Sequence, residues 1–201
     1  MSIKSSPSTR RRRRTKQAIL DAALSLVIEK GPDQLSLREV ARRVDYSPAA
    51  IYEYFRDKEA IIIELCQTGF KRLATKLNTV STDLPLEKYL KNLGIAYITY
   101  AEENPEYYRL IFSFIPSKRQ SLQEPVENGD PYIILLQAMA RGLKSGEISG
   151  SKDDHAESLS YNFWALLHGI AMLRATVLKD FEADFEMANR RAIEIFIKGL
   201  L

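Results

Sequence analysis

Apolar positions in this chain recur at helical spacing. Ile19, Ala22, Ala23, Leu26 and Val27 open the pattern in a helix predicted from Thr15, and Gly31 with Pro32 stops it. Ser36 heads a short second helix, to about Arg43, in which Leu37, Val40 and Ala41 face one way. Glu39, three residues after the Ser36 cap, has the spacing of a capping box. After the link Val44-Asp45-Tyr46, a second cap, Ser47, with Pro48 at the first helical position, starts a third helix running to about Tyr54. A fourth begins at Asp57 and carries Ile62, Leu65, Cys66, Phe70, Leu73 and Leu77 towards Thr79. Past Pro85 the spacing stays helical, without the period-two alternation of strands. Helices are predicted over 86–103, from Asn104-Pro105 to before Pro116, over 131–145 with Gly146 as the stop, and over 153–178 and 181–201. The stretch from Ser117 to Gly129, rich in Ser, Gln, Glu and Pro, reads as a loop. The expectation is an all-α chain of about nine helices, without an internal repeat.

Residues 1–14 hold Ser, Pro, Lys and Arg with almost nothing apolar, a composition that does not repay the entropy of ordering, so a disordered basic arm is predicted there. Charge sharpens this division. Residues 1–58 carry 13 Lys and Arg against 7 Asp and Glu, a net +6, which leaves −3 for the remainder of a chain whose total is +3. The basic end is where a polyanion would bind. With 45% hydrophobic residues in 201, there is ample material for a core. No apolar run reaches the about 18 residues of a membrane span, and the arginines lead straight into an amphipathic pattern instead of a signal-peptide core, so a cytoplasmic protein is expected. Cys66 stands alone and the only histidines are His155 and His168, so neither a metal site nor a cofactor is expected.

Two short helices across a tight link, the second opened by Ser-Pro and rich in small residues, fit the helix-turn-helix recipe. Ala41 is small where the two helices cross, and Val44 and Ile51 have the size to plug the gap. Asp45 falls where the chain must turn left-handed, which Asp tolerates better than most residues. The second of these helices then offers Pro48, Ala49, Ala50 and Glu53 to solvent. Small side chains there allow close approach to a major groove, where an Ala methyl can meet a thymine methyl.

The segment from Leu35 to Ala60 resembles the DNA-binding domain of the TetR family. The resemblance covers about residues 15–62 and rests above all on Ser47, Ile51, Tyr52, Phe55, Lys58 and Glu59. The family usually has Gly where this chain has Asp45, and often where it has Ala49. The resemblance implies that Tyr52 and Tyr54 present hydroxyls to phosphate oxygens and that Lys58, at the start of the fourth helix, meets the DNA backbone. It implies phosphate hydrogen bonds from Ser36 and Ser47, a guanine contact from Arg38, and base readout by Pro48, Ala49, Ala50 and Glu53. Arg13 and Arg14, just ahead of the first helix, are candidates for a minor-groove or phosphate-tracking arm. Each role has a plainer alternative: packing for the tyrosines, capping alone for the serines, a solvated surface for Arg38, a solubilising tail for the arginine run. The organisation implied is an arm over 1–14, a helix-turn-helix domain over 15–56, and an effector-binding and dimerisation domain over 57–201.

Helix-turn-helix dimers read two half-sites about one helical turn apart, which demands a rigid self-association surface. The last two predicted helices are the candidates. Leu159, Phe163, Leu166, Leu167 and Ile170, with Ile193, Phe196 and Leu200, carry more apolar surface than one intramolecular face consumes; the alternative is that both helices complete the core. The segment Asn104 to Phe112, with Trp164 and His168-Gly169, resembles the C-terminal domain of a TetR subgroup named for its Trp-His-Gly signature. That resemblance implies a cavity for a small, largely apolar effector, lined from among Tyr97, Tyr100, Tyr108, Phe112, Met139, Trp164, His168 and Met172. The alternative for each of these is plain core. The function implied is a sequence-specific transcriptional regulator, a homodimer on double-stranded operator DNA whose repression the effector relieves; activation by the ligand is the other possible sign. A helical enzyme finds no support, for no Ser/His/Asp set, no G-x-x-x-x-G-K-[ST] loop and no H-E-x-x-H motif is present. An architectural, sequence-independent nucleic-acid binder is the remaining rival.

Overall fold

A computed structural model describes residues 6–114, 130–149 and 155–201. The described residues form nine α-helices and one 3-10 turn, with no strand among them. The helices are α1 (Pro7–Lys30), α2 (Leu37–Arg43), α3 (Pro48–Tyr52), α4 (Lys58–Leu77), α5 (Leu86–Glu103), α6 (Pro105–Phe114), α7 (Tyr132–Ser145), α8 (Ala156–Ala175) and α9 (Phe185–Lys198). The chain divides into two compact units at Gln67/Thr68, a boundary that falls inside α4 and lies beyond the expected one at residue 56. The predicted loop from Ser117 to Gly129 lies outside the described residues.

In the first unit, α1 is longer than the apolar pattern implied. It starts at Pro7, eight residues ahead of Thr15, with the Ser6 hydroxyl accepting from the Thr9 amide. Residues 7–14 of the expected disordered arm are therefore helical, and only 1–5 lie outside the described residues. The reason is cooperativity. Packing of Ile19, Ala23 and Leu26 already nucleates the helix, each added residue then gains a hydrogen bond, and arginine is a good helix former. α1 covers α2, and Ile19, Val40, Ala41, Ile51, Phe55 and Ile61 bury their side chains in one core. Ile51, with no exposed surface, contributes about 1.5–3 kcal/mol of burial and pins the otherwise marginal five-residue α3.

In the second unit, α5 is the central element. Leu90, Leu93, Tyr97, Tyr100 and Ala101 are buried on it, and α7, α8 and α9 pack around it. Two glycines permit close approach. A Cβ on Gly142 would lie 2.5 Å from both Ile148 Cδ1 and Leu86 Cδ2, and one on Gly94 would lie 2.9 Å from Ile193 Cδ1. Gly146 ends α7, as the sequence predicts, in the left-handed conformation at φ 73°. α8 and α9 are shorter than expected where they face each other in sequence. α8 stops at Ala175, and α9 starts at Phe185 because the Asp184 carboxylate accepts from the Met187 amide. No helix among the described residues is long and apolar enough to cross a membrane.

Candidate nucleic-acid interface and core aromatic cluster

The helix-turn-helix is built from the turn outward. Asp45 adopts φ 55°, the one positive value on a non-glycine residue among those described, as expected for a position where the family favours Gly. Tyr46 then returns its amide to the Ala41 carbonyl at 3.0 Å, and Ser47 caps α3 by accepting from the Ala50 amide at 3.2 Å. The expected capping box on α2 does not form. Ser36 makes no side-chain cap, and Glu39 turns instead to Lys30 of α1. Arg43 grips Glu29 with two hydrogen bonds, at 2.8 and 2.9 Å. Those hydrogen bonds hold the carboxyls of Glu29 and Glu39 below the usual range, so ion pairs join α2 to α1 at neutral pH.

On this support α3 turns its far side to solvent. Ser47, Pro48, Ala49 and Glu53 are exposed, Ala50 is half-buried, and Tyr52 is 59% exposed. Ser36, Arg38, Tyr52 and Lys58 line one open groove of about 480 Å³, together with Arg56, Asp57 and Glu59. Four predicted contact residues thus share one surface, among them Ser36, whose side chain makes no cap. Two residues behave differently from the expectation. Lys58 donates to the Asp33 carbonyl at 3.1 Å, so part of its capacity ties α4 to the 3-10 turn. Tyr54 is half-buried, with the Arg12 guanidinium 4.9 Å from its ring centre.

Sequence reasoning missed Arg12. Its guanidinium donates to the Glu53 carbonyl at 3.1 Å, which holds the C-terminal end of α3 against α1. A signal existed: Arg12, Lys16, Ile19 and Ala23 are spaced along one helix face, and Lys16 likewise covers the Phe55 ring at 5.3 Å while pairing with Glu64 at 2.6 Å. Treating 1–14 as disordered hid it. Arg13 and Arg14 are exposed on the same helix.

In the second unit, five of the eight predicted effector residues meet. Trp164 Nε1 donates to the Tyr97 hydroxyl at 3.1 Å, the Tyr97 and Tyr108 hydroxyls lie 3.2 Å apart, and Tyr108 Oη is 2.7 Å from His168 Nδ1. Phe112 stands edge-on to the imidazole at 4.6 Å between centroids, and Trp164 flanks it at 5.7 Å. Tyr97 and Tyr108 are fully buried, whereas Phe112, Trp164 and His168 are half-buried. Burial pushes both tyrosine hydroxyls far above their ordinary range and pulls the His168 imidazole below its own. Tyr132 and Phe70, not anticipated, join as ring neighbours of Trp164 and Phe112. Tyr100 instead donates to the Gly69 carbonyl at 2.8 Å, Met139 is fully buried and Met172 half-buried.

The candidate dimer residues divide. Leu159, Phe163, Leu167 and Ile193 are buried within the single chain, Phe163 stacking on Phe196 at 5.1 Å, and Leu200 is nearly so. These five are core, because α5 and α9 consume the inner face of α8. Leu166, Ile170 and Phe196 stay half-buried. The free face is carried by Ala165, Gly169, Leu173 and Ile195, the last two 49% and 58% exposed. Spacing alone marks a face as apolar without telling which side the chain itself covers.

A helix-turn-helix with its second helix presented to solvent, followed by a separate helical unit, defines a DNA-binding transcriptional regulator. The profile of the bacterial regulatory proteins of the tetR family matches residues 19–65, and that of the tetracyclin repressor-like C-terminal domain matches 90–196; the chain belongs to the TetR family. It is 25% identical over 187 residues to YobS, an uncharacterized HTH-type transcriptional regulator of Bacillus subtilis (strain 168), covering 93% of each protein. Two solved structures share the fold. A protein of unknown function from Rhodococcus sp. RHA1 aligns with TM-score 0.73 at 24% identity over 92% of this chain and 94% of that one. The fatty acid degradation regulator FadR from Bacillus halodurans aligns with TM-score 0.71 at 18% identity over 96% of both.

Proposed function

We propose that this chain is a sequence-specific repressor that binds operator DNA as a homodimer and is released by a small, largely apolar effector. The observation that carries the reading is the solvent-facing side of α3, where small residues are backed by the clamped α1–α2 pair and flanked by the groove of Ser36, Arg38, Tyr52 and Lys58. Pro48, Ala49, Ala50 and Glu53 read bases together with Arg38. Tyr52, Lys58, Ser36 and Ser47 hold phosphates, with Arg13, at the side of α1, extending the footprint along the backbone. Tyr54 adds its hydroxyl at the edge of that set.

The second copy docks on the outer face of α8 and α9 around Leu166, Gly169, Ile170, Leu173 and Ile195. Gly169 supports close approach there, since a Cβ on it would meet nothing within 4 Å. The effector occupies the aromatic cluster around Trp164 and His168, in keeping with the Trp-His-Gly subgroup reading. α4, continuous from Lys58 at the groove to Leu77, transmits the change between effector and operator states. The protein acts in the cytoplasm and needs no metal or cofactor.

Gel shifts of the full chain on its own upstream DNA and on random DNA, across a salt series, test the reading. A regulator keeps a preference of about 10³-fold or more for its operator, whereas phosphate-only binding falls equally on both. Equal loss on the two DNAs refutes the proposal in favour of the architectural reading. Sedimentation of Ile195→Glu tests the dimer face: this variant should run as a monomer, and an unchanged dimer would refute that surface.

A further inference from the structure

The hydrogen bonds in the aromatic cluster have a direction, and it is set at one end. An indole Nε1–H only donates, so the Tyr97 hydroxyl accepts from Trp164. The Tyr97 proton then needs an acceptor in a fully buried place. Among the described residues the Tyr108 oxygen is the partner in reach, so Tyr97 donates to Tyr108. Tyr108 in turn must send its own proton to His168 Nδ1. The reverse order would leave the Tyr97 proton with nothing to meet, the costly case for a buried hydroxyl. The chain of donors therefore ends on an imidazole whose Nδ1 is bare and whose Nε2 carries the hydrogen. Burial, which favours the neutral ring, agrees with an imidazole that carries a single hydrogen. Among the described residues Nε2 has no hydrogen-bond partner, while the ring is half-buried among Phe112, Trp164 and Tyr108.

We infer that His168 Nε2–H is the recognition donor of the effector site, and that it selects a flat, uncharged, mostly apolar molecule bearing one acceptor oxygen, such as an aryl ketone. The inference rests on the effector-site reading above. The half-buried aromatic faces supply the apolar contacts, and the one unpartnered donor fixes orientation. A cationic ligand fits poorly, because the one polar group the cluster has left to offer is an N–H donor.

Two measurements on the full chain test this. The first is ¹⁵N NMR of the imidazoles in the ligand-free protein, with His155→Gln removing the only other histidine signal. His168 should show a protonated Nε2 and an unprotonated Nδ1; the opposite tautomer overturns the proposal. The second compares acetophenone with α-methylstyrene, in which C=CH2 replaces C=O on the same skeleton. The indole resonance of Trp164, the sole tryptophan, is the readout. Taking the ratio of the two affinities in wild type against His168→Phe cancels their different liking for water. The ketone preference should fall on the order of tenfold in His168→Phe and return in large part in His168→Gln, which restores an N–H. If both probes bind and the ratio does not move, the donor assignment is overturned while the effector site stands. If neither probe shifts Trp164 in wild type, the effector-site reading falls and this inference with it.

Discussion

Replacing Lys58 with alanine removes one cation from the α2–α3–α4 groove of each protomer. Salt sensitivity then changes by an amount that can be worked in advance. Each phosphate neutralised contributes about 0.9 to the slope of log K against log salt, so two copies on one operator carry about 1.8. Between about 50 and 200 mM salt the wild type should therefore lose about tenfold more affinity than the variant. The change should be equal on operator and random DNA, because a phosphate contact carries no base information. Lys58 also donates to the Asp33 carbonyl, so the substitution costs about 0.5–1.5 kcal/mol of stability, which a thermal melt should register without unfolding the protein at assay temperature. The assay is fluorescence anisotropy with labelled duplexes at five or more salt concentrations. A slope unchanged from wild type would mean that Lys58 is a structural tether only. A loss confined to the operator would mean that it reads sequence, and either result refutes the reasoning.

Arg38→Ala should cost roughly 1–3 kcal/mol on the operator and relax discrimination at one base pair, read from a panel of single-base operator variants. Tyr108→Phe leaves the Tyr97 proton and His168 Nδ1 without partners, and a urea titration should show a loss of about 1–3 kcal/mol. Asp45→Gly removes the left-handed strain at φ 55° and should raise stability by roughly 0.5–1 kcal/mol, the strain relief outweighing the added chain entropy. Acidification should act with a definite sign. His168 has a lowered folded-state pKa, so below 6.5 the unfolded chain takes up a proton that the folded one resists, and the urea midpoint should drop as pH falls from 7.5 to 6.0, less so in His168→Gln.

Much of the helix-turn-helix was legible in the sequence because its signals are local. Ser47-Pro48 specifies a helix start, Asp45 a left-handed residue, and Ile51 an inward plug, each within a few positions of what it acts on. What escaped were choices between competing partners. Glu39 was expected to reach back to Ser36, but Lys30, nine residues away, offers a full charge. Arg12 was assigned to a tail by composition, whereas its role depends on Glu53 and Tyr54, forty-one and forty-two positions later. The same limit applied to α8, where periodicity could not tell Phe163 and Leu167, turned inward, from Leu173, turned outward. In the core cluster the types Trp, Tyr and His marked candidates for a pocket, but that their polar atoms join in one hydrogen-bonded chain came only from the packing.

The helical state of the arginine run changes what its charges mean. A flexible tail would offer five interchangeable cations, whereas a helix spaces them about 100° apart around its axis. With Arg12 turned towards α3, Arg11 and Arg13 lie to either side, and Arg10 with Arg14 fall on the back. The run is thus a compass and not a reservoir. Two sequences of identical charge, differing only by a shift of this block by one position against Ile19, would aim different arginines at the same phosphate.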